Sequence, residues 1–297
     1  AIYKFARIED TDGFRNKLLH ICKTNEVKGT MIVANEGING TIASSHVGIN
    51  NLIEFLNKEE KFSGMEVKFS YVDQNPFYHM RISIKKEIVT MGMDLNLLDD
   101  SASHGTYVEP SDWDCLVNNP DVLVLDTRND YEYQIGTFKN AINPNIRSFR
   151  EFPQYVESKL DRSRHKSVAM FCTGGIRCEK ASSYMLNLGF ENVYNLKGGI
   201  LKYLEEKEEH ASSWTGECFV FDQRVSVKHG LKPGNCKFCR SCRMPLTPQD
   251  RGKPEYEEGV SCPHCHASLT EKKILAARER NLQIKLAEER NQCHLGY

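Results

Sequence analysis

"KSVAMFCTGGIRCEKASSYMLNLGF", residues 166–190, joins a short apolar run to a helical stretch through a glycine-rich turn. The apolar run ending at Phe171 is typical of a strand that is covered on both faces. The stretch after the turn has a helical pattern that ends at Gly189. Two further strand patterns, "DVLVLDTR" at 121–128 and "NVYNLKGG" at 192–199, flank it. Together they predict a parallel sheet with helices on both sides over residues 100–213.

Cys172 directly follows the central predicted strand. Ligands of such sheets bind beyond the carboxyl ends of the strands, and the start of a helix stabilises a nearby anion. Arg177 adds a positive charge close to the sulfur. We therefore predict that Cys172 is a thiolate nucleophile with a depressed pKa. The backbone of the turn is predicted to form an anion cradle from Thr173, Gly174, Gly175 and Ile176.

The spacing from Cys172 to Arg177 resembles the Cys-x4-Arg active-site loop of rhodanese-like domains. "LDTRNDYEYQIGTFKNAINPNI" at 125–146 and "NLKGGI" at 195–200 resemble other parts of that domain. The active-site loop of the related cysteine phosphatases is similar to Cys-x5-Arg, which is one residue longer and has room for phosphate. The length of the loop from Cys172 to Arg177 therefore argues against a phosphatase.

Three further residues are predicted to support this loop. Asp126 and Arg128 match the aspartate and arginine that follow a strand in rhodanese-like domains, although a strand-terminal Asp also commonly caps a turn. Cys178 is either a resolving thiol for Cys172 or a small residue in the first helical turn, and we favour the second interpretation.

Residues 1–93 show the order β-α-β-β-α-β of a ferredoxin-like domain. The strand patterns include "EVKFSYV" at 66–72 and "RISIKKEIVTM" at 81–91, and "NEGING" at 35–40 is predicted to turn the central hairpin. Such a sheet presents RNA in some proteins. A scaffold or interaction role is an equally good interpretation.

Residues 214–297 carry paired cysteines, basic residues and a charged helix. Two Cys-x-x-Cys pairs separated by nineteen residues predict a structural zinc site, with Cys236, His264 and His266 as competing ligands. The predicted zinc ligands are Cys239, Cys242, Cys262 and Cys265. Basic residues near the first pair predict contacts with an RNA backbone, although a solvated basic loop explains them nearly as well. They are Arg224, Lys228, Lys237, Arg240 and Arg243. The helix is predicted to be amphipathic through Ile274, Leu275, Leu282 and Leu286.

Composition sets wider limits on the function. The chain has 297 residues with a formal net charge of -1, which is long enough for several domains and gives no overall field for a nucleic acid or a membrane. The sequence contains neither an apolar run of membrane-spanning length nor a signal-peptide pattern at its start. With 11 cysteines and no sign of secretion, we expect a cytoplasmic protein with reduced thiols and no membrane partner.

Taken in order, five motifs along the chain are similar to those of the rhodanese-containing, oxygen-dependent tRNA uridine(34) hydroxylase family. They are "VANEGINGT", "NPFYHMRISIKKEIVTMG", "CTGGIRCEKA", "GECFVFDQRV" and "SCPHC". The resemblance covers nearly the whole chain. It implies conversion of the wobble uridine to 5-hydroxyuridine, with molecular oxygen as co-substrate and the tRNA anticodon loop as partner.

The residues suggest how such chemistry would proceed. The sequence has no GxGxxG fingerprint and no His/His/carboxylate set, so neither a flavin, NAD nor non-haem iron is indicated. The hypothesis is that Cys172 adds to C6 of the uracil and that the resulting C5 enolate reacts with oxygen. The alternatives are a rhodanese-type sulfurtransferase that acts through a persulfide on Cys172, and a non-catalytic RNA-binding or scaffold protein.

Overall fold

The computed structural model describes residues 1–93, 95, 97, 98 and 103–290. The chain forms two compact units, one of residues 1–223 with 227–232 and one of residues 224–226 with the chain from 233 onward. The predicted boundary between 93 and 100 falls largely outside the described residues. Residues 291–297 of the third predicted segment also lie outside them. The predicted boundaries between the three segments therefore stay predictions.

The first segment folds as a sheet covered by two helices, which confirms the ferredoxin-like class. Its elements are β1 (Ile2–Phe5), α1 (Thr11–Thr24), β2 (Lys28–Ala34), β3 (Gly37–Ala43), α2 (His46–Asn57) and β4 (Met80–Ile84). The strand order is β1-β3-β2-β4, antiparallel except for the parallel pair β2–β4. Leu18 and Cys22 of α1, with Leu52 and Leu56 of α2, are fully buried against this sheet.

One strand predicted in this segment is not formed. In "EVKFSYV", only Val67 pairs, in an isolated bridge with Ile2. The apolar side chains that follow do not enter a core, since Phe69 is 40% and Tyr71 79% exposed. Without a buried face, the alternation of apolar residues does not produce a strand.

The second segment contains the predicted parallel sheet. Its elements are β5 (Thr106–Val108), α3 (Pro110–Val117), β6 (Leu123–Asp126), α4 (Asp130–Tyr133), β7 (Gly136–Phe138), α5 (Phe152–Lys159), β8 (Ser167–Phe171), α6 (Ile176–Asn187), β9 (Asn192–Leu196) and α7 (Gly199–Glu206). The strands β10 (Trp214–Gly216) and β11 (Cys218–Phe219) lie at the start of the third segment and belong to the same compact unit. The order β5-β9-β8-β6 is parallel throughout, with β8 inside the sheet.

Both faces of β8 are buried, which confirms the interpretation of its apolar run. Val168 and Met170 pack in one hydrophobic cluster, and Ala169 and Phe171 pack in another on the opposite face. Since successive side chains of a strand alternate between faces, the continuous run fills both cores. Cys172 follows at the carboxyl end of this strand, where α6 begins.

The remaining elements belong mostly to the second unit. They are β12 (Ser226–Val227), β13 (Lys237–Phe238), β14 (Pro245–Leu246), α8 (Pro248–Arg251) and α9 (Glu271–Glu289). Short 3₁₀ turns occur along the chain at Glu60–Phe62, Phe149–Glu151, Glu209–Ala211, His229–Leu231 and His266–Ser268. β13 and β14 pair antiparallel. No helix within the described residues combines the length and the apolar character needed to cross a membrane.

The buried side of α9 differs from the predicted one. Leu275 and Leu282 are 57% and 51% exposed, whereas Ala277 and Ile284 are buried. Ile274 and Leu286 are half-buried, so only part of the predicted apolar face lies outward. On the same helix, Asn281 Nδ2 donates to the carbonyl of Glu258 at 2.9 Å.

Candidate active site and metal centre

The Cys172 sulfur lies in a turn made of backbone amides. The Gly175 N–H donates to it at 3.1 Å, and the N–H groups of Arg177 and Cys178 also interact with it at the start of α6. Residue Cys172 is 1% exposed. A reaction at this sulfur therefore requires the surrounding residues to move and admit the substrate.

The pKa of the Cys172 thiol is lowered to about 6. Burial alone would raise it, but the Cys178 thiol, the Arg177 guanidinium and the nearby backbone N–H groups favour the anion more strongly. The pKa of Cys178 is raised well above its ordinary value by burial and by the neighbouring Cys172. At neutral pH Cys172 is therefore mostly thiolate and Cys178 is a thiol.

Two glycines allow this tight arrangement. Gly175 has φ 104°, and a Cβ there would come within 3.0 Å of the Tyr3 hydroxyl. Gly199 has φ 66°, and its Cβ would lie 2.6 Å from the carbonyl oxygen of Cys172. Behind Gly199, the Ile200 N–H donates to that same carbonyl at 3.0 Å. The turn at Gly198 and Gly199 thus packs closely against the loop that follows Cys172.

Arg177 forms a buried pair that sequence reasoning missed. Its Nη1 and Nη2 donate to Glu132 Oε2 and Oε1 at 2.8 and 2.9 Å, and Glu132 is fully buried. Burial opposes ionisation of Glu132, yet Arg177 holds its pKa below the usual value. The Asn129-x-x-Glu132 spacing of a helix N-terminal box was a signal for this residue. The Asn129 N–H does donate to Glu132 at 3.1 Å.

Asp126 and Arg128 form a second buried pair beside the first. Arg128 Nη2 lies 2.6 Å from Asp126 Oδ2, both residues are fully buried, and the same Nη2 donates to the Gly136 carbonyl. Neither side chain hydrogen-bonds to Cys172. They fix the end of β6 next to the loop, as a supporting role requires.

The other predicted loop residues contribute backbone and packing. Thr173 Oγ1 donates to Glu132 at 3.4 Å. A Cβ on Gly174 would meet no atom within 4 Å, so this part of the loop borders open space. Ile176 is half-buried at the first position of α6.

Two side chains of the N-terminal domain also reach the loop. Lys68 Nζ donates to the Gly174 carbonyl at 2.6 Å, and the Tyr3 hydroxyl donates to Glu179 Oε1 at 3.1 Å. Nearby, Lys180 is buried and bonds to Glu36 and Glu87 of the same domain. No sequence pattern pointed to Tyr3 or Lys68.

The four predicted zinc ligands lie together in the second unit. The sulfurs of Cys239, Cys242, Cys262 and Cys265 are all within 4.8 Å of one another. The Sγ–Sγ distance is 3.9 Å for Cys239–Cys265, 3.6 Å for Cys242–Cys262 and 3.7 Å for Cys262–Cys265. A tetrahedral zinc with Zn–S bonds of about 2.3 Å requires S–S distances of about 3.8 Å. The residues therefore fit a zinc ion, and they leave no ligand position open for a substrate.

The competing ligands are not part of this group. Among the described residues, the cluster contains neither Cys236 nor the two histidines. His264 Nε2 instead lies 4.0 Å from Asp250 Oδ2.

The predicted RNA-binding residues are divided between the two units. Lys228 is in the first unit, where its Nζ lies 3.3 Å from Glu217 Oε1. In the second unit Lys237 is exposed, Arg240 donates to Asn281, and Arg243 lies over the ring of Phe238. Arg224 also belongs to the second unit. Their role in RNA binding stays a prediction.

Comparison with known proteins identifies two domains in the chain. Residues 1–88 match the UPF0176 acylphosphatase like domain, and residues 110–206 match the rhodanese-like domain. The chain thus has the N-terminal domain of the UPF0176 proteins followed by a rhodanese-like domain. A rhodanese-like domain around Cys172 supports cysteine-based sulfur or redox chemistry.

Similar solved structures cover only parts of the chain. A rhodanese-related protein from Thermoplasma volcanium is 26% identical over 34% of this chain and 92% of its own, with a TM-score of 0.27. The rhodanese-like domain of an Anabaena protein is 20% identical over 37% and 78%, with a TM-score of 0.28. A NAD-dependent persulfide reductase from A. fulgidus is 18% identical over 57% and 28%, with a TM-score of 0.27. At these TM-scores the similarities carry no further structural conclusion.

Proposed function

We propose that this protein is a cytoplasmic tRNA-modifying enzyme that hydroxylates the wobble uridine to 5-hydroxyuridine, with molecular oxygen as oxidant. The observation that carries the proposal is the Cys172 sulfur at the start of α6, which accepts from the Gly175 N–H at 3.1 Å and whose lowered pKa makes it a nucleophile at neutral pH. A second domain contacts the same loop through Lys68, so the site is built from more than the rhodanese-like domain. The order of motifs along the chain supports the choice of uridine.

The chemistry begins when the Cys172 sulfur forms a bond to C6 of the uracil. The C5–C6 electron pair moves to the C5–C4–O4 enolate, and C5 then adds molecular oxygen and a proton to give a C5 hydroperoxide. Two thiols reduce the O–O bond, leaving a C5 hydroxyl, water and a disulfide. Loss of the C5 proton expels the Cys172 thiolate and restores the double bond. The balance is uridine, oxygen and two thiols giving 5-hydroxyuridine, water and one disulfide.

The residues around the sulfur support this sequence of steps. The Gly175 N–H holds the thiolate before attack and after release. Arg177, fixed by Glu132, keeps a positive charge beside the reacting atoms, where electrostatic stabilisation is most effective. The space beside Gly174 is the natural direction of approach for a base.

Exposed aromatic rings in the segment that follows Lys68 support a single-stranded RNA partner. Tyr71 is 79% and Tyr78 51% exposed, in the segment that follows Lys68. Bases of single-stranded loops stack on such rings. The anticodon loop of tRNA, with its unstacked bases, fits a surface of this kind. The zinc site has a structural role in this proposal.

Nucleoside analysis of tRNA from cells with and without the gene tests the proposal. We expect 5-hydroxyuridine at the wobble position to disappear in the deletion strain and to return with the wild-type gene. It should not return with Cys172→Ser. Unchanged wobble nucleosides would refute the hydroxylase assignment.

Trapping tests the nucleophile itself. With tRNA that contains 5-fluorouridine, C5 has no proton to lose, so we expect a stable adduct between C6 and Cys172. Digestion and mass spectrometry locate the adduct. The matched control is Cys115→Ser, since Cys115 is an exposed thiol on α3 and should not affect trapping.

The second candidate is a sulfurtransferase, which the rhodanese-like match over residues 110–206 favours. Here the Cys172 thiolate attacks the outer sulfur of thiosulfate, sulfite leaves, and a persulfide remains. Intact mass after thiosulfate treatment would then rise by one sulfur atom in the wild type but not in Cys172→Ser. No gain in mass would exclude thiosulfate as the donor.

A further inference from the structure

Lys68 of the N-terminal domain is built into the catalytic loop. Its Nζ donates to the Gly174 carbonyl at 2.6 Å, across 106 positions of sequence. Its side chain is only 10% exposed. The ammonium also lies 5.3 Å from the centre of the Tyr3 ring. A buried ammonium is costly unless it is paired, so this position calls for a compensating anion.

The neighbouring cations already have buried carboxylate partners. Arg177 is paired with Glu132 and Arg128 with Asp126, each at hydrogen-bonding distance. Lys68 differs, because its carboxylate partner is Glu66, whose Oε2 lies 3.7 Å away on a side chain that is 45% exposed. Its charge is therefore the least compensated of the three.

Two anionic groups of the rhodanese-like domain act electrostatically on Lys68, the sulfur of Cys172 and the carboxylate of Glu179, and Cys172 has the larger effect. Burial lowers the pKa of Lys68, whereas Glu66, Cys172 and Glu179 act in the opposite direction. The sulfur itself interacts electrostatically with Arg177 and Cys178 from α6, with Tyr3 from β1 and with Cys218 from β11, besides Lys68.

We propose that Lys68 is a positioning residue for Cys172, which fixes the loop through the Gly174 carbonyl and supplies a weakly compensated positive charge for the anion at this sulfur. The active site then includes the acylphosphatase-like domain as well as the rhodanese-like one. The inference rests on Cys172 being the reactive thiol of the proposed function, and not on the identity of the substrate.

The test is the pH midpoint of Cys172 alkylation by iodoacetamide, followed for the Cys172 peptide by mass spectrometry. Lys68→Gln keeps an N–H donor for Gly174 but removes the charge, so we expect the midpoint to rise by about one unit. At pH values below the midpoint, the alkylation rate should fall about tenfold. Lys68→Arg keeps the charge and should keep the midpoint near the wild-type value.

Lys61→Gln is the matched control, because Lys61 lies in the same domain, is paired with Glu59, and should leave the midpoint unchanged. An unchanged midpoint in Lys68→Gln, or equal shifts in the Gln and Arg variants, would overturn the proposal. If Lys68→Gln does not fold, Glu66→Gln decides. Removal of this exposed carboxylate should lower the midpoint, and an unchanged midpoint would overturn the proposal. Since no RNA is involved, failure here is distinct from failure of the hydroxylase assignment.

Discussion

The two cysteine sites of this protein use sulfur in opposite ways. At the rhodanese-like loop one sulfur is held by backbone N–H groups and positive charge, next to a single thiol, Cys178. At the C-terminal cluster four sulfurs lie within 4.8 Å of one another with distances that suit tetrahedral zinc. A thiolate held by amides stays available to an electrophile, whereas a thiolate bound to zinc with a full set of ligands does not.

The difference shows what makes a cysteine reactive. The number of neighbouring sulfurs does not decide it, since the cluster has more of them. At Cys172 part of the support comes from distant parts of the chain, because Glu132 fixes Arg177 and Lys68 donates to the Gly174 carbonyl. The four ligands of the metal cluster come only from its two Cys-x-x-Cys pairs. Each site is therefore sensitive to a different set of substitutions.

Removal of the reactive sulfur should have the largest effect on activity. For Cys172→Ser we expect 5-hydroxyuridine formation to fall by about a thousandfold or more, because an alcohol in this loop is not ionised at neutral pH. The measurement is single-turnover conversion of tRNA, with zinc content determined on the same sample. Zinc should stay at the wild-type level. Substantial activity in this variant would remove Cys172 from the mechanism.

Loss of a zinc ligand should give the converse result. In Cys262→Ser we expect the metal content to fall from about one zinc per chain to almost none and the second unit to become protease-sensitive, since structural zinc stabilises small domains directly. The alkylation midpoint of Cys172 should not change, because the groups that face it belong to the first unit.

Cys236→Ser serves as the matched control for this change. It lies in the same cysteine-rich segment but outside the four-sulfur group, so its zinc content should equal that of the wild type. Loss of zinc in both variants would contradict the ligand set.

Breaking the buried ion pair should reduce stability more than it changes chemistry. Glu132→Gln leaves Arg177 buried without its counter-charge, which we expect to cost about 3–5 kcal/mol in the free energy of unfolding. Denaturant unfolding measures this cost. Glu54→Gln, at an exposed residue of α2, should cost less than about 1 kcal/mol. Equal costs for the two variants would mean that the pair contributes no special stability.

The same pair gives a pH dependence with a defined sign. The pKa of Glu132 is lower in the folded protein than in the unfolded chain, so its contribution to stability is present above the unfolded pKa. It is lost as the pH falls through the folded pKa. In Glu132→Gln this part of the acid sensitivity should be absent.

The sequence predicted those parts of the site that depend on neighbouring residues. Cys172 at the end of a two-faced apolar strand, the glycine turn and the start of α6 all follow from local pattern, as do the two cysteine pairs. Local chemistry also explains why the fold class was predictable, since β8 needs cover on both faces.

The remaining parts depend on contacts that no local pattern encodes. Lys68 meets Gly174 only after two domains have packed together. The absence of a strand at "EVKFSYV" and the exposure of Leu275 and Leu282 on α9 have a similar cause. An alternating or helical pattern shows that a face exists, but only the surrounding structure decides whether that face is buried.

The smallest expected effect tests the single thiol beside Cys172. The Cys178 thiol favours the Cys172 thiolate, so Cys178→Ala should raise the pKa of Cys172 from about 6 by about one unit. Cys178→Ser keeps an O–H donor and should stay closer to the wild type. Because alkylation needs the thiolate, it is lost as the pH falls through this pKa, and the loss should occur at a higher pH in the Ala variant. Cys115→Ala, on α3, should leave the midpoint unchanged. If Cys178 were instead a resolving thiol, the Ala and Ser variants would shift the midpoint equally little, and both would lose a Cys172–Cys178 disulfide that mild oxidation forms in the wild type.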